Sequence, residues 1–274
     1  MLKIAVCQLP LSIENPEENI RLATSAIQEA ASQGARLVVL PELTNSGCVF
    51  KDIAELEERA TTLDGQILEE WIALAQELNL ILVAGLAIKD SDHFYNTSVI
   101  IDSGGLRGWY KKAHLWGDES DFFAAGSDAP LIVETDIGRI ATMVCYDVEF
   151  PEWVRLTMLA DANILALPMN WPDSGRPTGQ TPLAAVLIQA AAAQNKLIVA
   201  AADRTRTERG IVWAGSSVIT DSDGVIRIIA DQENQNETQV LVVEVEVPLD
   251  RKMGPRNDAR TDRRPDLYKN ILTT

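Results

Sequence analysis

Three side chains that could together carry out acyl transfer stand just past apolar runs of this chain: Glu42 after "VVLP", Lys112 after "GWYK" and Cys145 after "IATMV". A thiol attacks as the thiolate, a minority species near neutral pH. A carboxylate can take the thiol proton when burial lifts its own pKa toward neutrality. A lysine ammonium can stabilise both the thiolate and the oxyanion of a tetrahedral intermediate. The backbone N–H of Tyr146, next after the thiol, is a second candidate oxyanion donor. Functional groups of α/β sheets gather at the carboxyl ends of strands. The same reading adds Lys111 beside Lys112, Asn170 and Trp171 after "LALPM", and Asp203 and Arg204 after "IVAAA". Each also has a plainer role: inert buried thiol, solvated loop acid, surface lysine. Spacing alone leaves the choice open.

Composition narrows the chemistry. His93 and His114 are the only histidines, so a multi-histidine metal site is excluded and a histidine-based triad has two positions to choose from. The cysteines, Cys7, Cys48 and Cys145, are sparse and odd in number, which predicts no disulfide framework and a reducing, cytoplasmic location. Cys7, inside "IAVCQL", reads as buried and inert. A formal net charge of −16 over 274 residues disfavours nucleic acid and anionic membranes as partners. No apolar run reaches the roughly 18–20 residues needed to cross a bilayer. The opening "MLKIAVCQLPLSIENP" reads as a first strand rather than a signal peptide.

The elements that would position these groups alternate along the chain. "LKIAVCQL" predicts a strand, and "NPEENIRLATSAIQEAASQG" a helix with Asn15 as cap, Pro16 at its first position, Glu18 completing a capping box and Gly34 at its end. "ARLVVLPE" predicts the next strand, "LDGQILEEWIALAQELN" an amphipathic helix and "LILVAGLAI" a buried strand. Hairpins follow around "SGG", near Gly138 and at Asp223-Gly224. "FPEWVRLTMLADA" and "TPLAAVLIQAAAAQN" predict helices, each followed by an apolar strand, and "TQVLVVEVEVPL" a last strand. Parallel crossovers and hairpins thus mix in one α/β domain over residues 1–274, with no linker-like break and no solenoid repeat. Residues 250–274 are charged and aperiodic, predicting an extended arm, disordered alone or ordered against a partner.

"LVVLPEL", "WYKKAHLW" and "MVCYDVEFPE" stand in the order of the hallmark motifs of the nitrilase, or carbon–nitrogen hydrolase, superfamily, and the chain resembles it from "KIAVCQ" to the last strand. The resemblance implies an α/β fold, a four-layer α-β-β-α sandwich, and hydrolysis of a non-peptide C–N bond through a thioester, with no metal and no organic cofactor. It implies Glu42 as general base, Lys112 as oxyanion stabiliser and Cys145 as nucleophile. The family's second acid falls on Glu119 in "GDESDFFAAG" as a substrate-positioning group, with Asp118 and Asp121 as neighbouring competitors. Asn170 and Trp171 would line the pocket.

Two departures bear on specificity. Gly47-Cys48 stands where the family usually has Gly-Tyr, placing a structural Cys48 near the pocket entrance. Glu149 stands where branches acting on acidic amides commonly have arginine, which disfavours a substrate carboxylate and tolerates a neutral or amine-bearing substrate. Nitrilases of the family typically carry Trp-Glu where this chain has Tyr146-Asp147, a pair resembling the amidase-like branches. "DRTRTERG", Asp203 to Gly210, resembles a segment of amidases of broad specificity. The resemblance therefore implies an amidase releasing ammonia from a small carboxamide. A carbamoylase, a nitrilase and a catalytically silent scaffold of the same fold are the alternatives. The helices after Phe150 and Thr181 are apolar on more than one face and, as in the family, imply a homodimer or higher homo-oligomer. The substrate itself depends on loops such as 172–180.

Overall fold

A computed structural model describes residues 1–177, 179–234 and 236–272. Thr178, in the loop expected to shape the pocket, lies outside the described residues, as do Gln235 and the arm's last two positions, Thr273 and Thr274. In chain order the first half holds β1 (Leu2–Gln8), α1 (Pro16–Ser32), β2 (Leu37–Val39), α2 (Ile53–Arg59), α3 (Gln66–Leu78), β3 (Ile81–Asp90), β4 (His93–Asp102) and β5 (Gly105–Lys111). The second half holds β6 (Leu131–Thr135), β7 (Gly138–Thr142), α4 (Pro151–Leu159), β8 (Ile164–Met169), α5 (Leu183–Asn195), β9 (Ile198–Asp203), β10 (Val218–Thr220), β11 (Ile226–Ile229) and β12 (Gln239–Val245).

The strands form two mixed six-stranded sheets, ordered β12-β1-β2-β3-β4-β5 and β11-β10-β9-β8-β7-β6. From β12 in one and β6 in the other, both run antiparallel, parallel, parallel, antiparallel, antiparallel. Two similar halves thus face each other, although the sequence carries no visible repeat.

Strand alternation sorts the apolar side chains into layers. Ile4, Val6, Val39, Val83 and Ile100 of the first sheet meet Ile140, Ile164, Ile198 and Ile219 of the second. The opposite faces, Ala5, Cys7, Val38 and Leu82 on one side and Ala141, Leu165 and Val199 on the other, receive the helices. Helix α1 packs its stripe Ala23, Ala26, Ile27 and Ala30 there, and α3 adds Leu68, Trp71 and Ala75. On the second sheet α4 contributes Val154, and α5 contributes Ala184, Ile188 and Ala192. The result is the expected four-layer α-β-β-α sandwich. Cys7 is fully buried in it, and burial pushes its thiol pKa up, which keeps it inert.

Two local expectations change, and one helix appears that the sequence did not announce. Asn15 does cap α1, accepting from the Glu18 N–H at 3.2 Å, but the capping box is only half formed. The Glu18 carboxylate turns to Arg21 at 2.6 and 2.5 Å, because a charged partner one turn on outcompetes a neutral N–H. Helix α2 is too short and charged to show a period in the sequence; Asp52 starts it by accepting from the Glu55 N–H at 2.8 Å. The arm is held by its own chain: Arg251 donates to the carbonyls of Lys196 and Ala162, and Arg260 to Asp161 and the Leu159 carbonyl. Among the described residues no helix is long and apolar enough to cross a membrane.

Ile164, fully buried between the sheets, gives a direct measure of that layer. Ile164→Ala is expected to cost about 3 kcal/mol in urea unfolding, whereas Leu156→Ala on the outer face of α4 is expected to cost under about 1 kcal/mol.

Candidate active site

Beyond β2 the chain must bring a carboxylate from the first sheet toward the second. Pro41 ends the ladder, and the Glu42 N–H reaches the Met169 carbonyl of β8 at 3.3 Å. Room for this comes from Gly85 of β3, where a Cβ would lie 2.3 Å from the Glu42 Cα and 2.5 Å from the Pro41 oxygen. Only glycine fits there.

Lys112 follows β5, its N–H on the Asn96 carbonyl at 2.8 Å. Alternation sends its neighbour Lys111 the other way, to Asp90 at 3.0 Å and over the Tyr95 ring, so only Lys112 enters the interior. The Lys112 ammonium, 1% exposed, sits 2.8 Å from Glu42 Oε1, and 2.9 and 2.8 Å from the two oxygens of Glu119. Glu119 is held in a single 3-10 turn by the Trp116 N–H at 2.8 Å. Asn96 Nδ2 donates to Glu42 Oε1 at 2.6 Å and to Glu119 Oε1 at 2.9 Å. Glu42 Oε2 is buried and has no partner among the described residues.

Cys145 opens a 3-10 turn after β7 with φ of +44°, a left-handed conformation that costs a non-glycine residue about 1–3 kcal/mol. Asp147 holds the turn in place. Its carboxylate accepts from the Val144 N–H at 3.0 Å, the His114 N–H at 3.0 Å and the Tyr110 hydroxyl at 2.9 Å, and lies 2.6 Å from His114 Nδ1. One buried acid thus ties the cysteine turn to the segment that carries Lys112. The Cys145 thiol faces the Asn170 carbonyl at 3.5 Å. A second buried acid, Asp203, accepts from the N–H groups of Trp171 and Ser216, each at 2.9 Å, and so fixes the pocket wall.

Charge follows from this packing. Burial pushes the Glu42 carboxyl up to about 7; Glu119 adds to the rise and Lys112 opposes it. Burial and the charge of Glu42 raise the Cys145 thiol well above its ordinary value despite Lys112, so the resting side chain is the thiol. Burial disfavours the Lys112 ammonium, but Glu42 and Glu119 outweigh it and hold the amine charged.

A cavity of about 590 Å³ brings together Glu42, Lys112, Glu119, Cys145, Tyr146, Glu149, Asn170 and Trp171, and leaves out Lys111, Asp203 and Arg204. Cys48 lines it too, with its thiol pKa raised by burial. Asp118 lines the mouth, whereas Asp121 does not line the cavity, which leaves Glu119 as the acid on the lysine. Asp203 and Arg204 are scaffold: Arg204 pairs with Glu208 at 2.6 Å, and Glu208 accepts from the N–H groups of Ile13, Cys48 and Val49. Among the described residues no group of His, Cys, Asp and Glu is arranged to hold a metal ion. Asn96 was missing from the sequence-derived set; a polar residue inside the strand "FYNTSVII" was its only signal. The aromatic walls from Phe50, Phe122, Phe123 and Trp213 come from loops no pattern places.

The pattern of the carbon–nitrogen hydrolase family matches residues 3–251. The chain belongs to that family. Carbon–nitrogen hydrolases act on C–N bonds other than peptide bonds, and this chain is such an enzyme. It is 31% identical to a nitrilase of Pyrococcus abyssi over 98% of this chain and 99% of that one. It is 32% identical to the 2-oxoglutaramate amidase of Bacillus subtilis, covering 97% and 98%. Among solved structures, an amidase of a Nesterenkonia species superposes with a TM-score of 0.80 at 25% identity, over 99% of this chain and 96% of that one.

The Asp147 clamp is open to measurement. Asp147→Asn keeps the shape but loses one charged acceptor oxygen, and is expected to lower the unfolding free energy by about 2–3 kcal/mol. Tyr110→Phe, which removes one of the bonds, is expected to cost about 1 kcal/mol on the same urea titration.

Proposed function

We propose that this carbon–nitrogen hydrolase is an amidase converting a small carboxamide to a carboxylate and ammonia through a thioester on Cys145. The observation that carries the reading is the division of labour on Glu42: Oε1 is taken up by Lys112 and Asn96, and Oε2 is buried without a partner among the described residues. That free oxygen receives the Cys145 proton as sulfur attacks the amide carbon. Lys112 and the Tyr146 N–H stabilise the oxyanion. When the intermediate collapses, Glu42 returns the proton to the leaving nitrogen, so ammonia departs and the acyl group stays on sulfur. Water then gives its proton to Glu42, attacks the thioester, and releases the acid while the thiol is restored. Glu119 keeps Lys112 aimed and charged.

Both nitrilase and amidase are names carried by relatives. The pair Tyr146-Asp147 favours the amidase. In a glutamate-to-glutamine variant of the Nesterenkonia amidase, structures record Michael addition of acrylamide and covalent addition of the acetamide moiety of fluoroacetamide at the active-site cysteine. These bonds to carbon leave the amide uncleaved and speak for a nucleophilic cysteine in that protein. Turnover of nitriles without amides would overturn the assignment, and carbon dioxide released with ammonia would move it to carbamoyl cleavage. We also propose a homodimer through the outer faces of α4 and α5, where Leu156 and Val186 are each 39% exposed. Light scattering tests it.

Cys145→Ala is expected to lower ammonia release by more than about a thousandfold. Mass spectrometry of the wild type mixed rapidly with substrate should show an adduct of acyl mass that the variant lacks. Because the base must be ionised and burial places the Glu42 carboxyl at about 7, kcat/KM is expected to fall about tenfold per unit as pH drops below that value. A profile flat from pH 5 to 8 would remove Glu42 from that role.

A further inference from the structure

The floor and the rim of the cavity differ in chemistry. Glu42, Lys112, Cys145 and Asn170 form the floor, each at most 6% exposed. At the rim stand Asp118, Glu149 and Asp173, all exposed, and none of them forms an ion pair with a basic side chain among the described residues. Lys112 is the one cation lining the cavity among those residues, and Glu42 and Glu119 already engage its charge. The mouth therefore carries uncompensated negative charge, focused by low-dielectric walls. Trp116, 46% exposed, and Tyr146 line the same mouth and offer aromatic faces to a cation.

A second observation points to a ligand independently of the acids. Asn170, 4% exposed, lines this cavity, and neither Nδ2 nor Oδ1 has a partner among the described residues. Trp213 Nε1, in the same wall, is buried and also has no hydrogen-bond partner among the described residues. Buried donors and acceptors left open cost free energy unless something in the cavity meets them. An amide group has the matching donor and acceptor.

We propose that the substrate is a linear carboxamide whose far end carries an ammonium group. The amide lies on the floor beside Cys145 and Asn170. An aliphatic spacer runs along the aromatic walls, and the ammonium rests among Glu149, Asp118 and Asp173. The separation of floor from rim by burial places the positive charge far from the scissile bond, rather than on the adjacent carbon as in an α-amino-acid amide. Partial burial raises the Glu149 carboxyl, and the charge of an approaching cation opposes that rise by favouring the carboxylate. This inference rests on the amidase reading, so binding and turnover are measured separately.

The test compares 5-aminopentanamide with hexanamide, its neutral isostere, and with glutaramate, an anionic counterpart. Binding is measured by calorimetry on Cys145→Ala, and ammonia release on the wild type. The cationic amide is expected to bind about tenfold more tightly than hexanamide at low ionic strength, with glutaramate weakest. The gap should narrow at high salt. Glu149→Gln is expected to shrink the cation-over-neutral ratio about threefold, acting through KM. Equal or tighter binding of hexanamide or glutaramate would overturn the proposal, even with all three amides hydrolysed. Cation-first binding without turnover of any amide would uphold the cation-seeking rim and overturn the amidase reading, and the carboxamide with it.

Discussion

A lysine ammonium with almost no exposure to water is stable only where carboxylates meet it, and Lys112 is met by Glu42 and Glu119. Taking these charges out of water is costly, and the attraction repays it only with close geometry and further hydrogen bonds. Among the described residues such bonds reach every carboxylate oxygen around Lys112 except Glu42 Oε2. Much of the architecture serves that condition. Gly85 lets the Glu42 backbone pass, Asn96 donates to both acids, and the Trp116 N–H fixes Glu119. Two acids against one base leave an excess of negative charge in an apolar setting. Burial above all, with Glu119 adding to it and Lys112 opposing, holds the Glu42 carboxyl near neutrality, where a group can both take and return a proton.

The two sheets contribute unequally. Glu42 and Lys112 come from the first sheet, following β2 and β5, and Cys145 and Asn170 from the second, following β7 and β8. The seam between sheets is therefore the site, and its alignment depends on contacts that cross it. The Glu42 N–H on the Met169 carbonyl is one, and the Asp147 carboxylate on His114 and Tyr110 is another. The left-handed turn at Cys145 lifts the thiol clear of its strand, and the Asp147 contacts offset the strain. Such residues look like chemistry in a sequence and prove to be positioning: Asp147 and Asp203 are buried acids whose lone pairs are spent on neighbouring main chain.

The layers of the fold were legible because burial leaves a period. The apolar runs of β1, β3 and β8, and the stripe on α1, predict strands and helix without further information. Helix α2 left no such trace, since seven charged-rich residues cannot display a repeat. The half-formed capping box at Glu18 was illegible for another reason: the competition between a backbone N–H and Arg21 is settled by geometry a single turn away. The arm misled in a similar way. Its charge reads as solvation, yet Arg251 and Arg260 reach carbonyls at the ends of helices and strands of the same chain.

Residue type and position at the ends of apolar runs were sufficient to nominate Glu42, Lys112 and Cys145, because a strand's carboxyl end is a local property of the chain. The motif order then identified the reaction class. Setting aside Asp118 and Asp121 as competitors of Glu119, adding Asn96, and turning Lys111 away required the folded molecule. Those decisions depend on distances of a few ångströms between residues up to 77 positions apart, such as Glu42 and Glu119, which share one ammonium. Hydrogen bonding and desolvation act across such gaps only after the sheets have packed. The chemistry available was therefore written locally in the sequence, and its assignment to particular oxygens was made by tertiary structure.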